Sequence, residues 1–539
     1  MNRFLLFAFL LTVAVFGTCR FAAAEVSVIP RPLSVEETGG FFTLTADAVI
    51  AADAESSVVA EFLAGLVAPA TGFGLKVVDG SAGAVRLAVD GVVADRLGPE
   101  GYTLVAGADG VEIRGGSASG VFYGVQTLRQ LLPAEIESGV PVSGVAWRVP
   151  CVRVEDAPRF KWRGLMLDVG RHFFPKEFVM KYIDTMAMYK MNSLHIHLTE
   201  DQGWRIEIKA FPALTKIGAW RSESKIRDEL TGSPAGPAHG GFFTQDDMRE
   251  IIAFAESRFV NIVPEIEMPG HAQAAIASIR GLSCVDKKFP VSRHWGVHRE
   301  VYCAGKEKVF NFLETVLSEV VELFPGEYVH IGGDEVPKER WRACPDCQAR
   351  IKAEGLKNED ELQSYFIKRI ENFMDSKGKR IIGWDEILEG GLPPRATVMS
   401  WRGIKGGIQA AIEGHDVVMS PTSHCYFDYK QAEKGEPNPV GSLTTLEETY
   451  SYEPVPDVLT PEQAKHVLGT QGNLWTERVD TQEHAMYMTY PRAIALSEVG
   501  WTRADLKSWP DFAKRVLPAL DRLDALGVNN RKPTASELP

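Results

Sequence analysis

From Arg163 to Gln471 short apolar runs alternate with amphipathic segments, and the runs number eight: Gly164–Val169, Ser193–Leu198, Val260–Glu265, Tyr328–Ile331, Arg380–Trp384, Thr397–Trp401, Asp416–Ser420 and Val467–Gln471. Runs of this length, apolar at most positions, suit strands buried on both faces. Helical spacing fills the gaps, most clearly over Lys176–Lys190, Thr244–Ser257, Lys306–Leu323 and Asp360–Ser376. Thr244 followed by Asp247 reads as the N-terminal cap of its helix. Eight β/α units over residues 156–505 predict a (β/α)8 barrel, the TIM-barrel form of the α/β class. An open doubly wound sheet is the alternative, but no G-x-G-x-x-G follows a strand.

Ahead of the barrel, residues 25–155 read as a separate small α/β unit. Phe41–Leu44 and Ala84–Val89 alternate as strands do, and Tyr102–Val105 with Gly110–Arg114 forms a hairpin about Ala108-Asp109-Gly110. Helical pattern covers Ser57–Leu66 and Gly120–Leu132. No cluster of catalytic polar residues stands out there, which gives this unit a structural role. Residues 506–539 form a C-terminal segment whose Phe512–Leu526 is helical, and it either closes the barrel or mediates dimerisation.

Composition adds constraints. The chain has 539 residues, 45% hydrophobic and 24% charged, too many for one core and fit for several domains. A net charge of −13 disfavours nucleic acid or an anionic membrane as partner and is compatible with a neutral sugar. Residues 1–24 read as a signal peptide: Arg3, the apolar stretch Phe4–Phe16, and the small residues Ala22-Ala23-Ala24 with cleavage after Ala24. The stretch is too short to span a bilayer, so export to a periplasm, the medium or a lysosome-like compartment is expected. Seven cysteines fit such a location without making a disulfide scaffold. Cys284 and Cys303 flank one irregular loop and could close it. Cys344-Pro345-Asp346-Cys347, a CxxC, suits a local disulfide better than a redox motif or half a zinc site. Cys151 and Cys425 are left as buried thiols.

Chemistry concentrates where a barrel keeps it, at the C-terminal ends of the strands. In chain order these ends lead to Asp168 and Arg171; Glu200-Asp201; Glu265, Glu267 and His271; Asp334-Glu335; Trp384-Asp385-Glu386; Trp401-Arg402; Tyr426 and Asp428; and Trp475 and Glu477. Carboxylates beside recurring tryptophans suit a sugar, whose hydroxyls bond to charged groups and whose C–H faces pack on indoles. The run His330-Ile331-Gly332-Gly333-Asp334-Glu335 is the most specific. Its paired glycines let the backbone leave the strand sharply and hold both acids at one end. Like charges held together drive their pKa values apart and so separate their roles. None of these carboxylates falls into a metal-ligand spacing.

With these motifs the chain resembles the β-N-acetylhexosaminidases of glycoside hydrolase family 20. The resemblance covers nearly all of the mature chain and rests on His330–Glu335, Pro264–His271, Arg171–Phe174 and Leu474–Glu477, in the family's order. It implies an exo-acting, retaining enzyme that releases terminal β-linked N-acetylhexosamine from glycans or chitooligosaccharides, as monomer or homodimer, with no cofactor. Asp334 and Glu335 are adjacent in sequence and so unsuited to flank a sugar ring as a usual retaining pair does; the family belongs to the substrate-assisted exceptions. By resemblance, Glu335 is the general acid/base and Asp334 holds the substrate acetamido N–H. Trp384, Trp401 and Trp475 wall the acetamido methyl, and Tyr426 donates to its oxygen. Arg171, Asp428 and Glu477 bind hydroxyls, and Asp201 with His271 supports Glu335. Glu267 stands where members often carry Asp, which bears on the support of His271. A family 18 chitinase is disfavoured because its D-x-x-D-x-D-x-E motif is missing. A silent glycan-binding protein would have lost the acid pair.

Overall fold

The computed structural model describes residues 26–224, 236–438 and 440–539. The signal peptide expected over residues 1–24 lies outside them. The N-terminal unit is a seven-stranded sheet built from β1 (Ser34–Thr43), β2 (Val49–Ala52), β3 (Lys76–Asp79), β4 (Val85–Val89), β5 (Tyr102–Gly107), β6 (Gly110–Gly115) and β7 (Arg148–Asp156), in the order β1-β7-β5-β6-β4-β2-β3. Helices α1 (Ser57–Thr71) and α2 (Ala118–Leu131) pack on it. Helix α1 outruns the expected Leu66 and stops where Gly72 takes φ +72°, a left-handed C-terminal turn that glycine adopts without strain. The expected hairpin forms, with Gly107 opposite Gly110.

The second unit is a closed parallel barrel of β8 (Trp162–Asp168), β9 (Ser193–His197), β10 (Asn261–Met268), β11 (Tyr328–Gly332), β12 (Arg380–Trp384), β13 (Thr397–Ser400), β14 (Val417–Met419) and β15 (Val467–Leu474), neighbours in chain order. Every expected strand is present. Two run three residues further than their apolar pattern, because pairing continues: Met268 lies opposite Gly332, and Gln471–Leu474 lie along Gly164–Leu167. Outside the barrel run α3 (Lys176–Met188), α4 (Gln245–Glu256), α5 (Glu307–Leu323), α6 (Pro345–Glu354), α7 (Glu359–Ser376), α8 (Lys405–Ile412) and α9 (Arg492–Trp501). Thr244 caps α4 through a full capping box with Asp247. No helix among the described residues is long and apolar enough to cross a membrane.

Helix α10 (Trp509–Ala525) does not complete the barrel wall, since β15 pairs directly with β8. It braces the two units instead. Arg515 bonds Glu498 on α9 and the Val28 carbonyl, and Arg522 reaches Glu137. The junction turns on Asp156, the last residue of β7. Its buried carboxylate accepts from Lys190 Nζ at 2.8 Å, the Tyr102 hydroxyl at 2.8 Å and Trp501 Nε1 at 2.9 Å.

The expected disulfides are not formed. All six described cysteines are free thiols, Cys151 and Cys425 buried as expected. Cys284 and Cys303 do not pair off, nor do Cys344 and Cys347, because the loop after β10 folds against the start of α6 and gathers all four together.

Candidate active site

The C-terminal mouth of the barrel holds an open pocket of about 340 Å³. Nine of its lining residues are among those singled out from sequence: Arg171, Asp334, Glu335, Trp384, Trp401, Tyr426, Asp428, Trp475 and Glu477. Asp201 and His271 lie behind the wall. Trp295, Tyr429, Val440 and Arg478 also line the pocket. Trp295 and Arg478 sit on loops without periodicity, and Tyr429 and Val440 on two short strands that pair with each other outside the barrel, too short to stand out in the sequence.

The acid pair is placed by its glycines. Gly332 ends β11 at φ +68° and Gly333 continues at +93°. A Cβ on Gly332 would fall 1.8 Å from Glu267 Oε2, and one on Gly333 would fall 2.5 Å from Ile387 Cγ2. Only glycine therefore fits both the turn and the space. Glu335 itself takes φ +47°, a sparsely populated conformation for a non-glycine residue.

One imidazole serves both acids. His271 Nε2 is 3.6 Å from Asp334 Oδ2 and 3.4 Å from Glu335 Oε2. Its Nδ1 is 2.9 Å from Glu200 Oε1 and 3.1 Å from Asp201 Oδ2. Burial alone would favour neutral His271, but the Glu200 charge and the surrounding carboxylate bonds raise its pKa well above the ordinary value. Glu200 stays ionised despite burial, because Arg171 (2.7 Å) and His271 face it. Glu267 does not bond His271. Its buried carboxyl lies over Gly332 with no hydrogen-bond partner, and burial, then the nearby Asp334 charge, pushes its pKa well up. Support for His271 thus comes from Glu200 and Asp201.

Burial raises the Asp334 carboxyl to about 6, while the hydrogen bond from His271 holds Glu335 below the usual range. The acids are therefore separated in the opposite sense to the roles the resemblance implies: Glu335 is the charged one. The Glu335 side chain is 39% exposed. That position leaves its charge open to desolvation by anything bound over it, which would move the pKa upward.

Aromatic rings form the opposite wall. Tyr426 stacks on Trp401 with ring centroids 6.1 Å apart, and Trp475 lies 5.7 Å from Trp384 and 6.3 Å from Tyr426. Trp384 Nε1 donates to Glu265 (2.8 Å) and Trp401 Nε1 to Glu386 (2.9 Å), which fixes both indoles. Burial pushes the Tyr426 phenol well above its ordinary pKa, which keeps the proton on its hydroxyl and leaves it able to donate. Arg171 lies over the Trp475 ring at 4.9 Å and within 3.8 Å of Glu477. Asp428 is buried with Oδ1 unpartnered, its pKa raised by burial and then by Glu477. Asp168 and Asp385 are ion-paired with Arg171 and Arg402.

Beneath the pocket lies a polar network that the sequence did not reveal. Glu265 Oε2 is 2.9 Å from His195 Nε2 and also bonds His197, and Oε1 is 2.8 Å from His330 Nδ1. All four side chains are fully buried, and the three imidazoles hold Glu265 ionised. This arrangement fixes the Trp384 ring from below.

A carboxylate-and-tryptophan pocket on a barrel mouth defines a carbohydrate-active hydrolase of the TIM-barrel type. The family model described as glycosyl hydrolase family 20, catalytic domain, matches residues 160–504, and that for domain 2 of the same family matches residues 25–157. The chain belongs to glycosyl hydrolase family 20. It is 46% identical over 514 residues to a beta-hexosaminidase of Porphyromonas gingivalis, covering 94% of this chain but 64% of that one. A beta-hexosaminidase of Vibrio furnissii is 36% identical over 89% of this chain and 77% of its own. The GH20 beta-N-acetylhexosaminidase of Streptomyces coelicolor A3(2) superposes with a TM-score of 0.83 at 33% identity, over 95% of this chain and 98% of that one.

Proposed function

We propose that this chain is an exo-acting, retaining β-N-acetylhexosaminidase, cleaving terminal β-linked GlcNAc or GalNAc with the substrate's own 2-acetamido group as nucleophile. The observation that carries the reading is the shared imidazole. Asp334 and Glu335 both face His271 Nε2, at 3.6 Å and 3.4 Å. Two acids on one wall leave no room for a sugar ring between them, whereas an ordinary retaining pair flanks the ring at about 5–5.5 Å.

The acetamido carbonyl oxygen attacks C1 as the glycosidic C1–O bond breaks. Glu335, protonated once the sugar covers it, gives its proton to the leaving oxygen. Asp334 accepts the acetamido N–H and balances the positive charge of the oxazolinium ring. Tyr426 donates to the carbonyl oxygen and aims it at C1, and the methyl lies among Trp384, Trp401 and Trp475. Glu335 then takes a proton from water, which opens the ring with net retention. Arg171, Asp428 and Glu477 supply the donors and acceptors for the terminal sugar's hydroxyls. The hexosaminidase names of the relatives support the same substrate class. Export by a signal peptide cleaved after Ala24 belongs to this reading.

The test compares an aryl N-acetyl-β-glucosaminide with the glucoside bearing 2-hydroxyl instead. Rates within about tenfold of each other would point to an enzyme nucleophile. Glu335→Gln should lose about 10²–10⁴-fold with a poor leaving group; unchanged turnover removes Glu335 from the acid role.

A further inference from the structure

Four cysteines, Cys284 and Cys303 from one loop and the Cys344–Cys347 pair from another, meet beneath the loops that follow β10 and β11. Cys303 Sγ lies 3.7 Å from Cys344 Sγ and 3.6 Å from Cys347 Sγ, and Cys284 Sγ lies 3.7 Å from Cys347 Sγ. All four sulfurs fall within 4.8 Å of one another. Three of the residues are buried and Cys284 is half-buried. A disulfide requires sulfurs at about 2.05 Å. A tetrahedral ZnS4 unit with bonds of about 2.3 Å has S···S edges of about 3.8 Å. The observed spacings match the second geometry.

We propose that Cys284, Cys303, Cys344 and Cys347 bind one Zn²⁺ as a closed structural site that clamps together the two loops carrying His271 and Glu335. Four thiolates in a tetrahedral arrangement select zinc over hard cations, and four protein ligands leave no open position for catalysis.

Local structure builds the site from both sides. Cys344 is the N-cap of α6 and Cys347 lies in its first turn, where free amide N–H groups favour thiolates. Across from it, Cys303 N donates to the Leu282 carbonyl at 2.8 Å, and Ser283 bridges to Tyr302, which sets Cys284 beside Cys303. Gly305 then passes against the CxxC turn so closely that a Cβ there would lie 2.2 Å from the Asp346 carbonyl carbon.

The clamp reaches the catalytic wall through short connections. Tyr302 N donates to the Pro269 carbonyl, two residues before His271, at 2.9 Å. Trp341 Nε1 donates to the Tyr302 carbonyl at 2.9 Å, and Arg340 bonds Glu300. The metal would thus hold the Pro269–Cys303 loop, with His271 and Trp295, against the Gly333–Cys347 segment, with Asp334 and Glu335.

Metal analysis of the full chain, purified without chelator or added metal, tests the proposal. About one zinc per chain is expected. The four thiols should resist a thiol reagent in the native protein until a chelator is added. Replacement by Co²⁺ should give the thiolate charge-transfer and visible bands of a tetrahedral cobalt–sulfur site. Cys303→Ser should lower bound zinc at least about tenfold, whereas Cys425→Ser should leave it unchanged. A zinc-free chain about 4 Da lighter than its reduced form, the mass of two disulfides, would overturn the proposal. So would reduced thiols that take up neither Zn²⁺ nor Co²⁺. Should Cys303→Ser not fold, the cobalt spectrum of the unmodified protein decides.

Discussion

His271 holds Glu335 with the ring nitrogen that also faces Asp334, 3.4 Å from the one and 3.6 Å from the other. Both carboxyls therefore lose a neighbouring cation if the ring is removed. His271→Ala should lower kcat/KM by about 10²-fold, and the acidic limb of its pH profile should move to higher pH, because both pKa values rise without the imidazolium. A pH–rate profile checks this; a limb that stays in place would mean that the ring is neutral in the free enzyme.

Asp334 gives a stability prediction with an unusual sign. Its pKa is raised to about 6 in the folded chain, against an ordinary 3.8. The folded state therefore binds this proton more tightly than the unfolded state. The contribution is fully present below about pH 4 and is lost as pH rises through about 6. Asp334→Asn cannot ionise. At pH 7.5 it should be the more stable by about 1–3 kcal/mol, and at pH 4 the advantage should vanish. Thermal melts at the two pH values measure the difference, and a constant offset would rule out burial of this charge as its cause.

Gly332 and Glu267 share one space. Gly332→Ala adds a methyl where the Glu267 carboxyl lies and imposes φ +68° on a residue with a Cβ. A loss of about 1–3 kcal/mol is expected. Glu267→Ala in the same chain should return the steric part of that loss but not the backbone part. A double-mutant cycle in denaturant separates the two; strict additivity would mean that the carboxyl moves aside freely.

Asp156 joins the units through three buried partners. Asp156→Ala leaves the Lys190 ammonium buried and strips a partner from Tyr102 and Trp501. Such a break costs about 3–5 kcal/mol. The melting temperature should drop while the KM of the residual folded enzyme stays close to the parent value.

Much of the barrel was legible because parallel strands buried on both faces write themselves as compact apolar runs, and all eight did so. Asp334, Glu335 and the three pocket tryptophans were legible for a related reason: each lies at a strand end or within three residues of one. Glu200 was harder, since it neighbours Asp201 and only the folded turn shows that it bridges Arg171 and His271. The Glu265 network could not be read, because which inward side chains of β9, β10 and β11 share a layer depends on strand register. The cysteines were misjudged from their spacing. Pairs close in sequence suggested local bridges, but packing of the loop after β10 against α6 decides which sulfurs meet.

The last hydrogen-bonded seam of the barrel joins its first strand to its last. Trp162 Nε1 bonds Gln471 Oε1, 309 residues further along. During synthesis β8 therefore waits as a bare edge until β15 emerges, and a chain cut before Val467 presents two open edges instead of none. Such a fragment is a template for intermolecular pairing. Premature termination in this protein should yield insoluble material, not a weaker enzyme.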